Sequence, residues 1–373
     1  MKKKLGIIII CTALMLCLSV LSHAEDSTDR LIQSSGAGEL FETLPDETGE
    51  LFKAAGIDGL SFESIFSVSA GDILNVFRQL ITGGIEAPTK SLVRLIAVII
   101  LLSVFECFMP DNDSLKLISQ TAGTLFCMIS VISPLTTAII SAASSVTLSS
   151  SFMTALIPVL GAVVAAAGNP TLAISFQSIG FFAAEIISWI SKNCIMPVVG
   201  AVLALDITGT MMPSFHLSGL TEFIKKTLTS VMTFSATVFV AFLSIKDALA
   251  NAADTVASRG IKLAISSAVP VVGGALSEAY SGIIGSLVLA RSTVGVFGIA
   301  AIALINLPSC AQLVFWTFAL RLSAAVGELF GQQSTSALLK SVASAITLLN
   351  AVLIFNAVLF IISTALILTI KAV

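Results

Sequence analysis

Beyond residue 90 the chain is a succession of apolar runs near 20 residues long, and that one feature decides its solvent. The runs fall near 91–109, 117–143, 152–168, 172–190, 194–212, 227–245, 263–305, 308–330 and 342–370. Crossing about 30 Å of hydrocarbon takes about 20 apolar residues in a helix. Counted one by one, with 263–305 as one long or two short elements, the runs predict about seven to ten crossings. Only 12 basic and 10 acidic residues lie among the last 283, too few to clothe a water-soluble surface of that size. A mean hydropathy of +1.03 with 11% charged residues agrees. The expected class is all-α: a polytopic transmembrane helix bundle over residues 91–373.

The chain begins Met1-Lys2-Lys3-Lys4, continues as an apolar run from Leu5 to Leu21, and reaches Ser22-His23-Ala24. These are the three parts of a secretory signal peptide, with cleavage expected after Ala24. Residues 25–90 then hold 12 acidic side chains against Arg30, Lys53, Arg78 and Lys90. Such a balance, in an exported segment, disfavours nucleic acid and anionic lipid as its partners.

Short amphipathic helices are expected in that segment. Leu40, Phe41 and Leu44, then Leu51 and Phe52, mark two of them. In the clearest, Ile73, Val76, Phe77, Leu80 and Ile81 recur at helical spacing, with Ser69 and Asp72 set as a capping box and Gly83-Gly84 as the stop. Lying on the bilayer or on the bundle is one expectation for this segment, and offering a surface to a partner is the other.

Three runs carry the same interruption: Ile157-Pro158-Val159-Leu160-Gly161-Ala162, Met196-Pro197-Val198-Val199-Gly200-Ala201 and Val269-Pro270-Val271-Val272-Gly273-Gly274. Proline removes a backbone donor, and glycine three places on lets another backbone approach, so broken or closely packed helices are expected there. Such repeated breaks either serve packing or line a conduit near the three prolines. Glu185, Asp206, Glu278, Arg291 and Arg321 fall within apolar runs and should face protein or water. Glu185 and Asp206 are near enough to run ends to snorkel, and Glu278 pairs with Arg291 only if the chain bends between them. Trp189 and Trp316 suit an interfacial belt, and the stretch Lys246 to Lys262 suits a cytoplasmic loop.

No zinc-protease, phosphate-loop or serine-elbow motif is present, and two histidines with scattered cysteines offer no metal ligand set. Neither an enzyme nor a bound cofactor is expected. Cys107, Cys127, Cys194 and Cys310 read as small core residues.

One stretch is distinctive: Ser258-Arg259-Gly260-Ile261-Lys262-Leu263-Ala264-Ile265-Ser266-Ser267-Ala268, continuing through Val269-Pro270-Val271-Val272-Gly273-Gly274 to Ala275-Leu276-Ser277-Glu278-Ala279. It resembles the hallmark of the stage III sporulation protein AE family, and the order of signal, acidic segment and bundle agrees. The resemblance implies a membrane subunit of the secretion-like channel complex between mother cell and engulfed forespore, needed for late forespore development. It further implies residence in the mother-cell-derived membrane around the forespore. The implied partners are other stage III membrane proteins: a secretion-type ATPase, small membrane subunits and ring-forming proteins of the intermembrane space. A stand-alone secondary transporter with re-entrant broken helices is the rival reading of the bundle.

Overall fold

The computed structural model describes residues 36–108, 113–167, 169–211, 217–241 and 273–368. The signal expected at 1–24, the loop expected from Lys246 to Lys262 and Pro270 lie outside these residues. Among the described residues every regular element is a helix. The short ones come first: α1 (Ala37–Glu42), α2 (Asp46–Ala54) and α3 (Phe62–Phe66). Then follow α4 (Ala70–Cys107), α5 (Asp113–Ala166), α6 (Pro170–Ile190), a π-helical turn (Ser191–Ile195) and α7 (Met196–Met211). Helix α8 covers 218–241, and α9 (Gly273–Leu329) and α10 (Gln333–Leu368) close the described chain.

The capping box at the start of α4 forms as expected. Asp72 accepts from the Ser69 backbone N–H at 2.9 Å, and Ser69 Oγ accepts from Gly71 N at 3.3 Å. The expected stop at Gly83-Gly84 does not occur, and the helix runs on past residue 90 to Cys107. The reason is tertiary: a Cβ on Gly84 would stand 3.4 Å from the Phe315 ring, so the glycine is where α9 lies against α4. Close packing of that kind outweighs a propensity cost of about 1 kcal/mol per glycine.

Among the described residues four helical stretches are long and apolar enough to cross a membrane: Ile118–Ala166, Ala173–Thr210, Gly285–Leu329 and Gln333–Ala365. Runs counted separately in the sequence are fused here. Helix α5 carries both 117–143 and 152–168 through Pro134 and Pro158 without a break, and α9 passes Pro308. At Pro197 the interruption is a π-helical turn that joins α6 to α7. A proline deprives the carbonyl four residues back of its donor, and a local change of helical register absorbs the mismatch. At 1.5 Å per residue α5 and α9 are each about 80 to 85 Å long, more than twice a bilayer core.

That length serves two apolar cores. One joins the ends of α5 and α10, the start of α9 and α6 around Leu156, Phe297 and Phe360. The other gathers α4, the first half of α5, α7, the later half of α9 and the start of α10 around Ile99, Trp316 and Leu349. Helices α5 and α9 are antiparallel, as the pairs Ser145 with Ser309 and Ser149 with Asn306 require. They approach closely where a Cβ on Gly298 would come 2.5 Å from Leu156 Cδ2. Gly298→Leu is therefore expected to force these helices apart and destabilise the protein by about 1 to 3 kcal/mol. A lowered midpoint of detergent thermal unfolding is the measurement.

The acidic segment joins the first core. Ala37, Leu40, Leu51, Phe52 and Ile57 are buried with the bundle residues. Phe52 lies 5.2 Å from the Phe297 ring, and Phe41 stacks on Phe297 at 6.1 Å. Of the two places expected for it, bilayer or bundle, these helices take the bundle. Between Gly36 and Phe66 the seven carboxylates, from Glu39 to Glu63, and Lys53 are all exposed.

A polar waist and the cleft above it

Between the two apolar cores the bundle is hydrogen-bonded through side chains. Ser141, Ser145 and Ser149 recur every fourth residue along α5, so they form one stripe that faces α9. Ser309 Oγ meets Ser141 Oγ at 3.0 Å and Ser145 Oγ at 2.7 Å. Asn306 donates Nδ2 to Ser149 Oγ at 2.7 Å and to its own helix at Ile302 O, 2.8 Å. Ser191, the first residue of the π-helical turn, donates to Asn356 Oδ1 at 2.8 Å. Asn306, Asn356, Ser149 and Ser191 are each no more than 2% exposed. Small hydroxyl residues let helix backbones come close, and their bonds hold register where apolar contacts alone allow sliding. The buried Asn306 Oδ1 has no partner, which makes this waist a costly polar layer rather than a saturated one.

The waist opens outward. A cleft of about 380 Å³ runs from Ser141 and Ser309 past Thr137, Gln312 and Gln79 to Glu47 and Glu50 on α2. Its outer wall is therefore the acidic segment, and its floor is the serine stripe. Among the described residues no lysine or arginine lines it. Nearby on α4, Lys90 bonds Glu86 at 2.6 Å and holds that carboxyl below its ordinary pKa, an exposed pair of little structural weight.

A second polar site lies in the other core. Lys225 of α8 donates to Asp206 Oδ2 of α7 at 2.6 Å and to Ser344 Oγ of α10 at 3.2 Å. The Asp206 side chain is 7% exposed and that of Lys225 22%. Asp206 thus does not snorkel, because the cation is brought to it from 19 residues away. Beside the pair is a cavity of about 390 Å³ lined by Thr210, Thr221, Ser334 and Ser341.

The other residues singled out by the sequence are dispersed. Pro158 and Pro197 are exposed on their helices. Gly161 packs against the Gln177 side chain of α6, whereas a Cβ on Gly200 would meet no atom of the other described residues within 4 Å. Gly273 and Gly274 open α9. Glu185 and Arg321 are exposed, and Arg321 lines a small pocket with Lys340. Arg291 is buried at 2% exposure. Helix α9 runs unbroken from Glu278 to Arg291, 13 residues (291 − 278) or about 20 Å, so the bend that their pairing required is absent. Trp316 is a core residue at 1% exposure rather than part of a belt, while Trp189 is exposed. Cys107 and Cys194 are likewise exposed, so only Cys127 and, in part, Cys310 behave as core residues.

The family model for stage III sporulation protein AE matches residues 60–371. The chain belongs to the stage III sporulation protein AE family. Among curated proteins it is similar to the stage III sporulation protein AE of Bacillus subtilis (strain 168), with 24% identity over 283 residues, covering 74% of this chain and 71% of that protein. No solved structure matches. The match to the stage III sporulation protein AE family takes in both the serine stripe and the Asp206–Lys225 pair, while α1 and α2 precede it.

The waist residues carried a signal in the sequence that run counting passes over. A Ser-x-x-x-Ser-x-x-x-Ser spacing inside an apolar run is a stripe on one helix face. Asn306 and Asn356 are isolated amides in such runs, and a buried amide needs a partner.

Proposed function

We propose that this sporulation membrane protein is an integral subunit of a secretion-like channel complex joining mother cell and forespore, required for late forespore development. On this reading it resides in the mother-cell-derived membrane around the forespore, with residues 25–90 facing the intermembrane space. Its partners are the secretion-type ATPase, the small membrane subunits and the ring-forming proteins of that space.

The observation that carries the reading is the division of labour within the exported segment. Its apolar side is consumed by the bundle core, and its carboxylates, from Glu39 to Glu63, all face outward. A rigidly mounted acidic face suits a basic surface on a ring protein, since complementary charge fixes orientation and speeds encounter. Because the apolar side is core, deleting the segment would damage the bundle itself. Reversing exposed charges leaves the core alone.

The test is the triple substitution Glu42→Lys, Glu47→Lys and Glu50→Lys. The variant is expected to reach the membrane at normal level, to lose co-purifying ring proteins and to block late forespore gene expression. Retention of the whole complex with normal sporulation would refute the assignment of that face. The transporter reading draws on the sequestered Asp206–Lys225 pair, because intramembrane ion pairs often mark solute paths. Solute flux by the purified protein alone in liposomes would favour it over the subunit reading.

A further inference from the structure

Helices α4 and α5 enclose a groove of about 580 Å³ that the waist and the ion pair do not touch. Its walls are apolar: Val98 and Leu101 from α4, Ala122, Gly123 and Phe126 from α5. Gly123 forms its floor, where Leu102 lies directly against it. Leu101 is 69% exposed and Phe126 57%, so the groove opens on the outer surface of the bundle. Among the described residues, Arg94 is the one charged side chain lining it.

Arg94 has basic company at the same height. Gly84 lies beside Phe315, and Ile99 beside Gly327, so α4 and α9 run parallel. Interpolating between these contacts puts Arg94 within about one turn of Arg321. Arg321 shares its own small pocket with Lys340, whose ammonium also bonds Glu328. Arg94 and Arg321 are both exposed.

An apolar trough on the outer surface of the bundle, between α4 and the membrane-crossing candidate α5, with a guanidinium at one end, has the chemistry of one molecule type. We propose that this groove binds an anionic phospholipid, one acyl chain lying against Leu101 and Phe126 and the phosphate held by Arg94. The chain covers apolar surface, and the phosphate accepts charge-assisted bonds that a guanidinium presents in a planar fork. A neutral lipid fills the trough equally well but leaves Arg94 without an anionic partner from the bilayer. Basic pockets between transmembrane helices select anionic headgroups for that reason.

The test is native mass spectrometry of the purified full chain titrated with dioleoyl phosphatidylglycerol and dioleoyl phosphatidylcholine. The wild type should retain phosphatidylglycerol about fivefold better, the factor that one basic residue near a headgroup supplies. Arg94→Gln should bring phosphatidylglycerol down to the phosphatidylcholine level. Ala122→Phe, which fills the trough, should reduce both lipids, and Leu101→Ser should do so more mildly if the larger residue prevents folding. Equal retention of the two lipids by the wild type would overturn the proposal. So would a preference that survives Arg94→Gln, or a Leu101→Cys variant that cross-links two copies through the groove.

Discussion

Phe297→Ala is expected to be the most damaging single change outside the helix crossings, at about 3 to 5 kcal/mol. The ring is fully buried and touches Phe52 at 5.2 Å, Phe41 at 6.1 Å and Phe152 at 6.2 Å. Its loss removes the common partner of Phe41 and Phe52, so the cost falls on the joint between segment and bundle. Limited proteolysis should then cut between residues 36 and 66 at protease levels that leave the wild type whole. Phe52→Ala should give the same pattern. Unchanged proteolysis in both variants would mean that the segment is held by something other than this cluster.

The second large effect is expected at Asp206. Asp206→Ala leaves the Lys225 ammonium in a site where only Ser344 remains to bond it. Breaking a buried pair on one side costs about 3 to 5 kcal/mol, and the partial exposure of Lys225 puts this case near the low end. The double variant Asp206→Leu with Lys225→Met should recover most of that loss, since replacing both charges by apolar groups removes the desolvation penalty as well. Thermal unfolding in detergent of the two single variants and the double variant gives the coupling directly. If the double variant is as unstable as Asp206→Ala, the pair is not what links α7 to α8.

How much of this was legible in the sequence depends on whether local or long-range physics decides. The helical class followed from the apolar runs, and the Ser69 and Asp72 cap followed from residues three apart. The two short helices around Leu40 and Phe52 were visible for the same reason. What propensity misjudged were positions where a neighbouring helix intervenes. Gly83-Gly84 reads as a stop until Phe315 is brought against Gly84. Pro158 reads as a break, yet α5 continues through it to Ala166.

Pairings between distant residues were the least legible. Nothing near Asp206 in the sequence names Lys225 as its partner, and the run around Trp316 looks the same whether its ring meets lipid or joins the second apolar core. The waist lay between these extremes, because the serine spacing is local but Asn306 and Asn356 are reached only through folding.

The central claim is that the acidic segment, exported on the proposed reading, is clamped onto a membrane bundle by its apolar side. Labelling with a membrane-impermeant maleimide tests it most directly, in intact spheroplasts of vegetative cells made to carry an otherwise cysteine-free protein in the cytoplasmic membrane, where the acidic segment faces the medium. Glu47→Cys, on the exposed face, should label fully without lysis. Phe52→Cys, buried at the joint, should stay protected until Phe297→Ala is added. Equal labelling of the two positions in the otherwise wild-type bundle, or labelling of Glu47→Cys only after lysis, would contradict the account.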